Sequence, residues 1–279
     1  MTWQQALFAG MIQGLTEFLP VSSSGHLVIY NTMLGEAEGA NLTFTIYLHF
    51  ATLLAVVIVF YKDVWVLTRE FFSSSADILR GKPNFKSPER RFLLMVIIAT
   101  IPAVIAGLTI KKLKFEGFLE NIFVVAVMLI VTSVFMFLVD RLGNGKYTEA
   151  DTPYKSSLLV GLLQAVAILP GLSRSGTTIF GGALGGLTKE FAVRFSFILS
   201  LPVVFGASLL ELISAAKRGN LGMDPVNLLI GFTAALICGI ISIRLIRLLA
   251  VSNKFYIFGI YCLFASVVAF LAGFGILRF

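Results

Sequence analysis

Two short stretches of this chain hold most of the residues from which a reaction could be built. The first reads Gln13-Gly14-Leu15-Thr16-Glu17-Phe18-Leu19-Pro20-Val21-Ser22-Ser23-Ser24-Gly25-His26. Gln13 and Glu17 are four residues apart, so on a helix they share a face, and Glu17 then projects beside the serines. His26 titrates near neutral pH without help and suits a general acid or base. Ser23 or a neighbour is the nucleophile it could activate, although a serine turn before a helix is also the ordinary composition of an N-cap. The second stretch reads Pro170-Gly171-Leu172-Ser173-Arg174-Ser175-Gly176-Thr177-Thr178. A guanidinium calls for an anion, and its fork matches a phosphate or a carboxylate. Ser22, Ser24, Ser173, Ser175, Thr177 and Thr178 add hydroxyl donors, and a helix starting after either turn adds amides and a positive dipole end. A Glu17–Arg174 ion pair that closes the fold is the structural alternative. The two readings are compatible, because a bound phosphate could bridge such a pair. Glu17 also suits a hard cation, Mg²⁺ or Ca²⁺, provided substrate phosphates and waters complete the shell.

The surroundings of these stretches decide where the chemistry takes place. The chain has 279 residues, of which 57% are hydrophobic and 13% charged, with a mean hydropathy of +0.92. A soluble domain would carry about 25% charged residues. Apolar runs of bilayer-crossing length, about 20 residues, cover 43–61, 92–110, 121–139, 191–216, 226–248 and 255–277. The net charge of +7 sits in short loops, where it sets orientation rather than recruiting nucleic acid. No basic n-region or cleavage pattern follows Met1, so no removable signal peptide is expected. Cys238 and Cys262 lie in apolar runs as small hydrophobes, and His49, on a span with no polar neighbour at helical spacing, reads as a packed histidine with one hydrogen bond. Gly10 with Gly14, and Gly181, Gly182, Gly185 and Gly186, have the small-residue spacing of helix packing.

Residues 5–34 and 156–187 are apolar but interrupted by Pro, Gly and Ser near their middles. Each is long for one helix and short for two spans, which is the pattern of a re-entrant hairpin. Gly10, Gln13, Ser22, Ser24 and Gly25 fall on Gly161, Gln164, Ser173, Ser175 and Gly176 at a constant offset of 151. Three spans follow each hairpin, so the second copy inserts upside down. The expected fold is therefore an all-α polytopic membrane protein, one domain over 1–279. Six transmembrane helices and two re-entrant hairpins form an inverted-topology repeat with halves 1–139 and 156–279. Loops 62–91, 140–156, 188–194 and 244–254 then share one side with 15 Lys and Arg, against six on the other. This places the basic side in the cytoplasm and both termini outside. Val64–Phe72, within the basic loop, is expected to lie along the membrane surface.

At QGLTEFLPVSSSGH (13–26) and PGLSRSGTT (170–178), and in span order over its whole length, the chain resembles the bacterial undecaprenyl pyrophosphate phosphatases, the bacitracin-resistance proteins. The resemblance implies hydrolysis of undecaprenyl pyrophosphate to undecaprenyl phosphate and inorganic phosphate, recycling the carrier lipid of cell-wall synthesis. It also implies a plasma-membrane location, a site open to the outer face and a divalent cation. Carried over by position, Glu17 is the metal-linked glutamate, His26 the catalytic histidine, Ser23 the proposed nucleophile, and Ser173 with Arg174 the phosphate-binding pair. Gln13 stands where a first glutamate is often found, so it would contribute to a metal only weakly or through a water. A homodimer is compatible with these features, which do not fix an oligomeric state. In the expected mechanism Ser23, assisted by His26, attacks the terminal phosphorus; attack by a water activated by His26 is the variant. Acid-phosphatase-like lipid phosphatases share SGH and SR fragments, but here Ser23 replaces their proline and no histidine follows Arg174. A lipid flippase or anion carrier built on the same inverted repeat is the non-enzymatic alternative.

Overall fold

A computed structural model describes residues 1–35, 42–82, 84–113, 121–217 and 224–277. Lys114, Arg218 and Arg278, half of the charges assigned to the sparsely charged side, lie outside them. Among the described residues the secondary structure is helical, with a single isolated bridge between Tyr147 and Leu187. Eleven helices follow in chain order among the described residues: α1 Trp3–Phe18, α2 Ser23–Met33, α3 Leu42–Val59, α4 Tyr61–Leu79, α5 Pro88–Leu113, α6 Ile122–Arg141, α7 Tyr154–Val166, α8 Arg174–Leu184, α9 Lys189–Lys217, α10 Pro225–Val251 and α11 Tyr256–Gly273.

Five of these, α5, α6, α9, α10 and α11, contain stretches long and apolar enough to cross a bilayer. They match the expected spans to within a few residues at each end. The sixth expected span, 43–61, is α3, and it continues into α4 through a 91° bend. Helix α4 carries Lys62, Asp63, Arg69 and Glu70 together with exposed Trp65, Phe71 and Phe72. Helix α4 thus combines charged and exposed apolar side chains, and it contains the stretch Val64–Phe72. Exposed Ile101, Ile105, Ile130, Ile237, Ile241 and Phe264 give the long helices the apolar exterior of a multi-pass membrane protein.

The two interrupted segments form paired short helices, α1 with α2 and α7 with α8. Helix α1 starts in a capping box, with the Thr2 hydroxyl accepting from Gln5 N and the Gln5 side chain accepting from Thr2 N. It stops at Leu19, extended at φ −66° and ψ 140° because Pro20 follows. Helices distant in sequence pack in pairs: α1 lies along α10 and α7 along α5, while α6 pairs with α11. Gly10 and Gly14 make the α1–α10 approach possible. A Cβ on them would lie 2.3 Å from the Gly231 carbonyl oxygen and 2.4 Å from that of Ala235. Gly185 likewise lies against Ser156 where α8 meets α7.

Ion pairs gather on the side assigned the basic loops. Arg90 joins Glu70 and Asp77, Arg194 joins Asp63 and Glu149, and the buried Lys189 joins Asp140. These contacts tie α4, α5, the 142–153 connection and α9 together at one end of the bundle.

Candidate active site

The turn between α1 and α2 is set by Ser22, which has φ 71° in the left-handed region. That conformation costs a non-glycine residue about 1–3 kcal/mol, and the hydrogen bonds around it hold it in place. Ser22 Oγ accepts from Gly25 N at 3.2 Å, capping α2, and its carbonyl accepts from His26 N. In the matching turn before α8, Gly171 has φ 87°, and a Cβ there would lie 2.5 Å from the Val125 carbonyl oxygen. Only glycine fits that position. Ser173 caps α8 by accepting from Gly176 N at 3.1 Å, and its own amide donates to Thr132 Oγ1 at 3.0 Å.

The two turns meet. Ser175 Oγ donates to the Leu19 carbonyl at 3.2 Å, and Cβ atoms built on Gly25 and Gly176 would lie 3.2 Å from Gly171 and Pro20. Both α2 and α8 therefore start at one place. Their caps serve Gly25 and Gly176, while His26 N and Thr177 N bond to cap carbonyls. The first amides of each helix, on Ser23, Ser24, Arg174 and Ser175, are left as anion donors.

Glu17 is the centre of the arrangement. Its Oε2 accepts from Gln13 Nε2 at 2.8 Å and from Ser23 Oγ at 2.6 Å. Its Oε1 accepts from Arg174 Nη2, which comes from the other half of the chain. The Glu17 side chain is 7% exposed and that of Arg174 is 17% exposed, so the pair is shielded yet reachable from the guanidinium side. Gln13 is fully buried, and its Oε1 has no hydrogen-bond partner among the described residues.

Gln13, Ser23 and Arg174 all bond to Glu17, and of these contacts the four-residue spacing implied that of Gln13. The pairing of Ser23 differs from the expectation. Its hydroxyl donates to Glu17, whereas His26 Nδ1 bonds to the Ser22 carbonyl at 2.7 Å and Nε2 to Tyr261 Oη at 2.9 Å. Ser22 and Ser173 are held as caps, and Ser24 Oγ rests 3.3 Å from Ser22 Oγ. Thr178 turns back to the Arg174 carbonyl and to Ser196 of α9, at 2.8 and 2.6 Å. That makes it a support for α8 rather than a donor in the turn. Thr177 is buried, with no partner for its hydroxyl among the described residues.

Two contributors carry no signal in the sequence. Tyr261 and Thr132 reach the site only through tertiary packing. His49 makes the single hydrogen bond expected of a packed histidine, Nδ1 to the Thr45 carbonyl at 2.9 Å.

As a chemical device, the arrangement provides a hydroxyl bonded to a carboxylate, a guanidinium and two sets of helix-terminal amides at one point inside an apolar protein. This combination suits attack on a phosphorus atom whose oxygens need neutralising. Comparison with known proteins agrees. The family model described as "Bacitracin resistance protein BacA" matches residues 6–268. A protein of Methanobrevibacter smithii named undecaprenyl-diphosphatase is 39% identical over 270 residues, 96% of both chains. Proteins of the same name from Methanosphaera stadtmanae and Alkaliphilus metalliredigens are each 37% identical, over 94% of this chain and 95% of theirs.

Proposed function

The chain belongs to the bacitracin resistance protein BacA family, and from that membership and the site's geometry we propose that it hydrolyses undecaprenyl pyrophosphate to undecaprenyl phosphate and inorganic phosphate. The observation that carries the reading is the sharing of Glu17. One carboxylate holds both the hydroxyl that can attack and the guanidinium that can bind the group attacked.

In the proposed mechanism the pyrophosphate draws Arg174 from Glu17 onto the terminal phosphoryl oxygens, where the α2 and α8 amides complete the anion receptor. Ser23 Oγ attacks the terminal phosphorus as Glu17 takes its proton, and the bond to the bridging oxygen breaks, releasing undecaprenyl phosphate. Water then attacks the phosphoserine and its proton passes to His26, while the proton held on Glu17 returns to Ser23 Oγ as the serine–phosphorus bond breaks. Inorganic phosphate departs and the Ser23 hydroxyl is restored. His26 is thereby assigned to the water step, in keeping with its bonds to the Ser22 carbonyl and Tyr261 rather than to Ser23.

A divalent cation, Mg²⁺ or Ca²⁺, fits as a companion of the substrate. The unpartnered, buried Gln13 Oε1 beside Glu17 is an oxygen donor of the right chemistry. Among the described residues no three His, Cys, Asp or Glu gather to hold a metal alone. Gln13 and Glu17 would hold the ion together with phosphate oxygens and waters, and the ion would supply neutralisation of the pyrophosphate charge.

The proposed topology is six spans and two re-entrant hairpins in inverted halves, 1–139 and 156–279. The exchanged packing of α1 on α10 and α7 on α5 supports it. The bias of 15 Lys and Arg on one side supports a plasma-membrane orientation with both termini and the site opening outside.

The test is phosphate release from a polyprenyl pyrophosphate by purified protein in detergent or liposomes, with and without chelator. Release that depends on Ser23 and Arg174 supports the reading. Transport of the lipid without phosphate release would overturn it in favour of a carrier.

A further inference from the structure

His26 is held at both nitrogens, and the second hold comes from a residue that neither motif contains. A carbonyl oxygen can only accept, so the 2.7 Å contact with the Ser22 carbonyl requires the proton on Nδ1. The neutral ring therefore carries its lone pair on Nε2. There Tyr261, from α11, places its hydroxyl at 2.9 Å. The two rings lie nearly parallel, 7° apart with centroids at 5.5 Å. Tyr261 in turn cannot drift freely. Its neighbour Cys262 is fully buried with Sγ 3.6 Å from the Pro20 carbonyl. Two residues before Tyr261, the Gly259 carbonyl accepts from Ser133 Oγ of α6 at 2.7 Å. Helix α11 is thus pinned on either side of Tyr261, to the first turn and to α6.

We propose that Tyr261 is a positioning residue for the phosphatase reaction, holding His26 in the Nδ1-protonated form with Nε2 presented as the proton acceptor. The inference rests on the hydrolytic reading of the site. When His26 is neutral the tyrosine hydroxyl donates to Nε2; as water gives up its proton the hydroxyl passes its own proton to Nε2, takes the water's in its place and then accepts from Nε2–H. A hydroxyl can do both without moving, so the ring keeps one orientation through the proton transfer. Neither Phe nor any aliphatic residue could provide this. The contact crosses from the last helix of the second half to the first turn of the first half, so it also links His26 to the correct assembly of the two halves.

The test is Tyr261→Phe, which keeps the ring and removes only the hydroxyl, studied in the full-length protein with His26→Ala and the double variant. Phosphate release from a polyprenyl pyrophosphate is measured at saturating and limiting substrate, with thermal midpoints in detergent as a check on folding. Tyr261→Phe is expected to lower kcat about tenfold, a modest share of the acid–base contribution it supports, with KM within about twofold and the midpoint unchanged. The double variant should be no slower than His26→Ala alone, because a residue acting through His26 has nothing left to act on. The proposal is overturned if Tyr261→Phe turns over within twofold of wild type, or if its loss multiplies with that of His26→Ala. It is equally overturned if the loss follows a lowered thermal midpoint and disappears at temperatures where both proteins are folded. Failure of the wild-type protein to release phosphate would instead sink the hydrolytic reading.

Discussion

Ser23 and Glu17 are joined by a hydrogen bond of 2.6 Å across the turn that separates α1 from α2. The carboxylate is the last polar group of one helix and the hydroxyl belongs to the first residue of the next, so the strained Ser22 between them fixes their approach. Since the same carboxylate also holds Arg174, one group sets the proposed nucleophile, its proposed proton acceptor and the proposed anion receptor.

Ser23→Ala should reduce phosphate release by about 10²-fold or more, the scale on which removal of an activated nucleophile or a transition-state donor acts. Acid-quenched reactions with a labelled terminal phosphate should trap phosphoserine in the wild type and none in the variant. Glu17→Gln should retain the hydroxyl yet lose turnover to a similar extent. Robust turnover by Ser23→Ala would assign the attack to water.

Arg174→Ala should cost about 10²–10³-fold in turnover through loss of charge stabilisation at the phosphorus. Arg174→Lys should recover little of this, since a point charge cannot span a carboxylate and a phosphate as a guanidinium fork does. The removed arginine also leaves Glu17 buried without its cation, so the thermal midpoint of Arg174→Ala should fall. The double variant Arg174→Ala with Glu17→Gln should regain stability but not activity.

Chelation should abolish turnover, and Mg²⁺ or Ca²⁺ should restore it. Gln13→Glu places a second carboxylate beside Glu17 at a buried position, where two like charges require a cation between them. This variant should reach half-maximal activity at a lower cation concentration than wild type and be less stable when the cation is removed. An unchanged activation curve would exclude Gln13 from the metal's surroundings.

Gly171→Ala combines a left-handed φ of 87° with a Cβ 2.5 Å from a backbone oxygen. It should destabilise the protein by about 1–3 kcal/mol, seen as a lowered thermal midpoint, and displace Arg174 enough to reduce turnover. Gly107, whose added Cβ meets nothing within 4 Å, is the matched control and should tolerate alanine far better.

The spans and both turns were legible because their causes are local. Apolar length marks a crossing helix, Leu19-Pro20 ends α1, and Ser22 and Ser173 cap α2 and α8. The Gln13–Glu17 contact was legible from helical spacing for the same reason. The bend at Phe60 was legible only in part, since no Pro or Gly marks it. There the charges of α4 end the crossing segment and Phe60, 5% exposed, is held in the core. The partners of Ser23 and His26 were not legible in detail. Ser23 could reach either Glu17 or His26 by sequence distance, and the choice depends on Tyr261, 235 residues beyond His26. Thr132 was invisible for the same reason: its partner is the Ser173 amide, 41 residues away in the turn before α8.

The contact between Glu17 and Arg174 also makes the site selective for what enters and leaves it. With no ligand the guanidinium is already neutralised, so an anion is retained only if it competes with a buried carboxylate for the fork. A pyrophosphate, with two phosphoryl groups and an accompanying cation, has the charge to win that competition. The inorganic phosphate left after cleavage has less, and Glu17 can displace it. Return of the ion pair would therefore act as an ejector, clearing product at the end of each cycle and keeping free phosphate from occupying the site between cycles.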